Sequence, residues 1–184
     1  IQVAQHREKK VNSGTAAAGF VGIPVEGSRV VFILDLSGSM DWPMNDASGK
    51  MRRIDYAKRE LLKAISALTS ESMFNLVTFN GDDDAEMWNK KMVKATKHNK
   101  DRFEKFVEKL RPLGGTNLWS GIEAALNVKT LVYGNHYETM VDEIFMLSDG
   151  APSVGEVQDP LEILRLTQEI NRFKDVMTRM NNSD

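Results

Sequence analysis

Cysteine is missing from all 184 residues. That excludes disulfides, thiol nucleophiles and thiolate metal sites, and leaves the compartment open. No apolar run is long enough to span a bilayer, so direct membrane insertion is not expected. Charge of neither sign dominates: 24 Lys and Arg stand against 26 Asp and Glu, for a net charge of −2. Nothing in bulk therefore draws the chain to nucleic acid or to an anionic surface. The three histidines, His6, His98 and His136, are scattered without metal-ligand spacing. A glycine-rich phosphate loop with its lysine is absent, and so is any internal repeat. The expectation left standing is one soluble domain with a sizeable core.

What the chain does have begins at Val30-Val31-Phe32-Ile33-Leu34-Asp35-Leu36-Ser37-Gly38-Ser39-Met40. The apolar run reads as a strand buried on both faces. It ends in Asp-x-Ser-x-Ser, where one carboxylate and two hydroxyls can converge beyond the strand tip. Hard oxygen donors grouped in this way suit a small divalent cation, Mg²⁺ above all. Two later segments carry matching chemistry. Arg111-Pro112-Leu113-Gly114-Gly115-Thr116-Asn117-Leu118 presents a threonine hydroxyl just before a helix, and Ile144-Phe145-Met146-Leu147-Ser148-Asp149-Gly150 is a second apolar strand closing on an aspartate. Open α/β sheets bind ligands beyond the ends of parallel strands. Asp35, Ser37, Ser39, Thr116 and Asp149 are therefore expected on one face.

Between these segments, strands and helices alternate. A helix is expected from about Ile54, with Ala57, Leu61, Ala64, Ile65 and Leu68 at helical spacing, then a strand at Phe74 to Phe79 and an edge strand near Glu86 to Val93. Phe103, Phe106, Val107 and Leu110 share a face of a helix over Asp101 to Leu110, and another helix follows Ser120. Asp159-Pro160-Leu161-Glu162 is a helix start, with Asp as N-cap, Pro at the first position and Glu three after the cap. Ile163, Leu166, Ile170 and Phe173 would form its buried stripe. This alternation implies a three-layer, doubly wound α/β architecture, with a mostly parallel sheet flanked by helices. Residues 1–19 read as an N-terminal segment and linker, and residues 20–184 as the domain.

In the type and order of its site residues, the chain resembles the von Willebrand factor type A domain, a Rossmann-like fold. The resemblance covers roughly residues 20 to 180, and the lead-in Phe20-Val21-Gly22-Ile23-Pro24-Val25 is similar to that of bacterial multidomain proteins carrying the module. It implies a complete metal-ion-dependent adhesion site formed by Asp35, Ser37, Ser39, Thr116 and Asp149. Ser37, Ser39 and, in the tight-binding state, Thr116 would ligate Mg²⁺ directly, with Asp35 and Asp149 acting mostly through water. Mn²⁺ or Ca²⁺ are substitutes. A partner's Asp or Glu would complete the shell, making the chain a non-enzymatic adhesion or protein-binding module. The resemblance also implies a further strand, for which Val176 to Met180 is a candidate. The last edge strand and C-terminal helix are expected to be missing before Asp184. Because the sequence starts at Ile1 without an initiator Met, it is expected to belong to a larger multidomain chain. An extracytoplasmic or cell-surface setting stands ahead of the cytoplasm.

Rival readings stay open. Taken singly, Asp35, Ser37, Ser39 and Thr116 fit capping or turn roles, and Asp149-Gly150 fits a plain turn. The site could also be a degraded one on a scaffold. A Mg²⁺-dependent phosphatase or phosphotransferase with Asp35 as nucleophile is the enzymatic alternative, but Ser37 stands where such enzymes need a second, acid/base aspartate. Trp42 and Trp119, three residues after Ser39 and Thr116, are candidate partner contacts that could equally pack against their helices. Asp82, Asp83 and Asp84 read as a solvated turn, and Lys90, Lys91, Lys94, Lys97 and Lys100 as a solvated face.

Overall fold

A computed structural model describes residues 19–44, 50–81, 85–126 and 141–169, together with the backbone of two short strands at 132–133 and 136–137. At its centre lies β3 (Arg29–Asp35), parallel to both β4 (Met73–Phe79) and β9 (Glu143–Leu147). Val31 pairs with Asn75 on one side and Ile144 on the other, which fixes the register. Two short strands, β5 (Glu86–Met87) and β6 (Val93–Lys94), pair antiparallel with β4. Two hairpins stand apart from this sheet, β1 (Gly19–Phe20) with β2 (Ile23–Pro24) and β7 (Val132–Tyr133) with β8 (His136–Tyr137).

The centre of the sheet is buried because β3 is apolar on both sides, whereas Ile144 and Met146 of β9 are exposed. Val30, Phe32 and Leu34 enter one core with α1 (Arg53–Ala67) and α2 (Lys97–Lys109). Val31 and Ile33 enter a second core with Ala125 of α3 (Leu118–Leu126). Strand side chains alternate between faces, so an unbroken apolar run is what a strand between two helical layers requires. This is the expected three-layer architecture. A fourth helix, α4, spans residues 160–169, and Asp159 caps it by accepting from the Leu161 N–H at 2.9 Å.

Helix boundaries depart from the sequence reading by a turn or less. In α2 the start moves back to Lys97, because the Thr96 side chain accepts from the Asn99 N–H. The start of α3 moves back to Leu118, with Asn117 Oδ1 accepting from the Ser120 N–H at 3.2 Å. The single edge strand expected over Glu86 to Val93 is two short pieces. The buried Asn75 explains the break: its Nδ2 donates to the Asn89 carbonyl at 2.7 Å and its Oδ1 accepts from the Asn89 N–H at 3.3 Å, a side chain standing in for the ladder. In α4, Ile163 is buried, whereas Ile170 and Phe173 lie outside the described residues. So do the N-terminal segment and linker up to residue 18, Asp82, Asp83, Asp84, and the strand expected at Val176 to Met180. No helix among the described residues is long and apolar enough to cross a membrane.

Candidate functional site

The C-terminal tips of β3, β4 and β9 are neighbours, so the loops leaving them meet. Leu36 N–H donates to the Phe79 carbonyl at 2.7 Å, tying the tips of β3 and β4. Gly38 N–H donates to the Gly114 carbonyl at 2.9 Å and Leu113 N–H to the Leu36 carbonyl at 2.7 Å, which lashes the glycine loop to the Asp-x-Ser-x-Ser turn. Asn117 N–H donates to the Asn80 carbonyl at 2.6 Å. Gly81 and Gly115 touch backbone to backbone: a Cβ on Gly81 would sit 2.6 Å from the Gly115 nitrogen. No side chain larger than hydrogen fits there.

On this frame Asp35 is fully buried at the end of β3. Its Oδ1 accepts from the Ser37 N–H at 2.7 Å and its Oδ2 from the Ser148 hydroxyl at 2.5 Å. Ser37 is also buried, and its hydroxyl lies 3.2 Å from that of Ser39. Ser39 Oγ in turn donates to Asp149 Oδ1 at 2.8 Å. Thr116 is placed by backbone bonds: its N–H donates to the Ser153 hydroxyl and its carbonyl accepts from the Ser153 N–H, both at 3.0 Å. The structure thus joins Ser37, Ser39 and Asp149 in one chain of side-chain contacts, holds Asp35 beneath them, and brings the Thr116 loop alongside. Among the described residues no three His, Cys, Asp or Glu side chains form a metal cluster. A cation here would meet two carboxylates and neutral hydroxyls, an all-oxygen set that fits a hard ion.

The two tryptophans part company. Trp42 is 61% exposed beside the site, while Trp119 is 8% exposed and turned into the protein. As the second residue of α3, Trp119 falls on the helix's inward side with Ser120 and Gly121, so the expectation of a partner contact there is corrected. Leu113, 73% exposed on the glycine loop, is a further apolar surface residue.

Three residues escaped the sequence reading. Ser148 holds Asp35, Ser153 holds Thr116, and Arg53 makes a short ion pair through Nη1 with Asp149 Oδ2. The Arg53 guanidinium also lies over the Trp42 ring, 5.6 Å from its centroid. Ser148 had a visible signal, a hydroxyl directly before the strand-end aspartate. Arg53 had a weaker one, since arginine in the first turn of a helix opposes the helix dipole.

A family model described as von Willebrand factor type A domain matches residues 28–172. Inter alpha-trypsin inhibitor heavy chain 4 of Mus musculus is 31% identical over 153 residues, covering 81% of this chain and 15% of the relative. Heavy chain H4 of Homo sapiens is 32% identical over 139 residues, covering 73% and 14%. The chain therefore spans only about a seventh of the length of the curated relatives it matches. Among solved structures, a conserved hypothetical protein, BatB, from Bacteroides thetaiotaomicron shares the fold at a TM-score of 0.56 and 21% identity, covering 78% of this chain and 62% of that one. With the strand-end loops and the sheet order in place, the chain belongs to the von Willebrand factor type A family, a family of protein-interaction and adhesion modules.

Proposed function

We propose that this domain is a non-enzymatic, divalent-cation-dependent protein-binding module. Asp35, Ser37, Ser39, Thr116 and Asp149 would hold Mg²⁺, with Mn²⁺ or Ca²⁺ as substitutes. When bound, the ion supplies an electrophilic point that an Asp or Glu of a partner protein can occupy. The observation that carries the reading is the Ser37–Ser39–Asp149 chain lying over the buried Asp35. The hydroxyls are neutral and leave much of the ion's charge uncompensated. Trp42 and Leu113, both exposed near the site, would supply apolar contact around the acidic anchor.

The phosphatase alternative has less support. A nucleophilic carboxylate must reach its substrate, whereas Asp35 is fully buried with both oxygens accepting hydrogen bonds. Ser37 offers no acid/base carboxyl in its place.

Thermal unfolding under EDTA and under a Mg²⁺ titration tests the reading, with Asp35→Asn beside the wild type. A ligand that binds only the native state raises the midpoint with its concentration. At metal ten times Kd the rise should be about 3–5 °C for a chain of this size. Asp35→Asn should show no Mg²⁺-dependent rise. A wild-type midpoint indifferent to Mg²⁺ up to about 100 mM would sink the proposal, and Mg²⁺-dependent hydrolysis of a generic aryl phosphate, lost in Asp35→Asn, would favour the enzyme.

A further inference from the structure

Arg53 stands in an unusual place. It is the first residue of α1, where the helix carries partial positive charge. Arg52, just before it, is matched by ion pairs to Asp41 and Asp55 within its own neighbourhood. Arg53 instead reaches across the fold, 96 positions along the chain, to Asp149. That carboxylate is nearly buried, with its side chain 12% exposed, and its other oxygen is bound by Ser39. A cation at a helix N-terminus is disfavoured unless something compensates it, and here the compensation is an aspartate of the candidate metal site. The pair itself lines an open pocket of about 250 Å³, shared with Met40, Met44, Tyr56, Leu147 and Ser148. The guanidinium thus has room to withdraw while its aliphatic stem stays in apolar surroundings.

We infer that Arg53 is an internal counter-cation of the metal site: it competes with the divalent ion for Asp149 and sets the site's metal affinity low. The inference rests on the metal-binding reading above. Because Arg53 pairs with Asp149, the two carboxylates of the site, Asp35 and Asp149, together with that arginine sum to one negative charge rather than two. An incoming ion must share Asp149 with the guanidinium or displace it. Binding is weakened in either case. A unit charge beside a dication is worth about tenfold in affinity even when screened by water.

Isothermal titration with Mg²⁺ alone, on the wild type, Arg53→Gln and Arg53→Lys, tests this. Removing the charge in Arg53→Gln should tighten Mg²⁺ binding by about tenfold or more, while Arg53→Lys, which keeps the charge, should stay within about threefold of wild type. Equal or weaker binding by a folded Arg53→Gln overturns the inference and leaves the metal site standing. Silence from both the wild type and Arg53→Gln removes the metal reading and the inference together. A second readout needs no variant. In the wild type, the Arg53 Nε–H NMR signal should shift as Mg²⁺ is added while that of Arg52 stays put, and an unmoved Arg53 signal under saturating Mg²⁺ would also overturn the competition.

Discussion

Asp142 shows how one residue can join distant parts of the chain. It precedes β9, and its carboxylate accepts from Ser28 N–H and Oγ–H and from Arg29 N–H, Nε and Nη2, the last at 2.7 Å. Partial burial would push its pKa up, but the hydrogen bonds from Arg29 and Ser28 outweigh that and hold it below the ordinary carboxylate value of 3.8. A depressed carboxylate contributes stability that is fully present above its unfolded value. That stability is lost as pH falls through the lower folded one. Urea unfolding from pH 7 to pH 2 should therefore show an acid-side loss that Asp142→Asn lacks. The pair is about a third exposed, so at neutral pH the variant should lose about 1 kcal/mol. Nothing in the sequence singled out Asp142, because its partners lie 113 and 114 positions away. Arg53 escaped for the same reason. Asp35, Ser37, Ser39 and Asp149 stand out as candidates because they follow apolar strand runs, and Thr116 because it sits in a glycine loop just before a helix.

Elements with a strong period were legible and those without were not. Strand β3 and helix α1 could be read because a two-sided apolar run and an i, i+3, i+4 stripe each have few alternative structures. The β5–β6 edge could not, since its break depends on a buried Asn75 across the sheet. Nor could the mutual fastening of α1 and α2. Lys58 of α1 donates to the Leu110 carbonyl at 2.6 Å at the end of α2, and Lys100 of α2 donates to the Leu68 and Ser66 carbonyls at 2.6 and 2.9 Å at the end of α1. Each helix thus satisfies the other's terminal carbonyls and places a cation on its negative end. Partial burial lowers the pKa of both lysines, although the negative helix ends they cap favour the charged form. Lys58→Met and Lys100→Met should each lose about 1–2 kcal/mol in urea unfolding. The double variant should lose close to the sum, because the two caps share no partner. A cost under about 0.3 kcal/mol for either would mean that water replaces the lysine at no loss.

At the scale of the whole molecule, the site exists only while the sheet does. Its residues come from the loops after β3 and β9, the start of α1 and the glycine loop, so no local fragment contains it. Stability and metal response should nonetheless separate according to where the chain is perturbed. Phe103 is fully buried on α2, edge-on to Phe74 at 5.2 Å and to Trp88 at 5.0 Å, within the aromatic cluster of the larger core. Phe103→Leu should lose about 1–2 kcal/mol. It should still gain the same increment from a given Mg²⁺ concentration, because that increment depends only on Kd and the free ion. Gly81→Ala perturbs the other end. Its new Cβ has no room against the Gly115 backbone, so the Gly81 turn and the loop carrying Thr116 must separate. A loss of about 1–3 kcal/mol should then come with a diminished Mg²⁺ increment. Denaturant melts of both variants, with EDTA and with Mg²⁺, would distinguish the two effects. If Phe103→Leu lost its metal increment, the site and the aromatic core would be coupled through the sheet rather than merely sharing it.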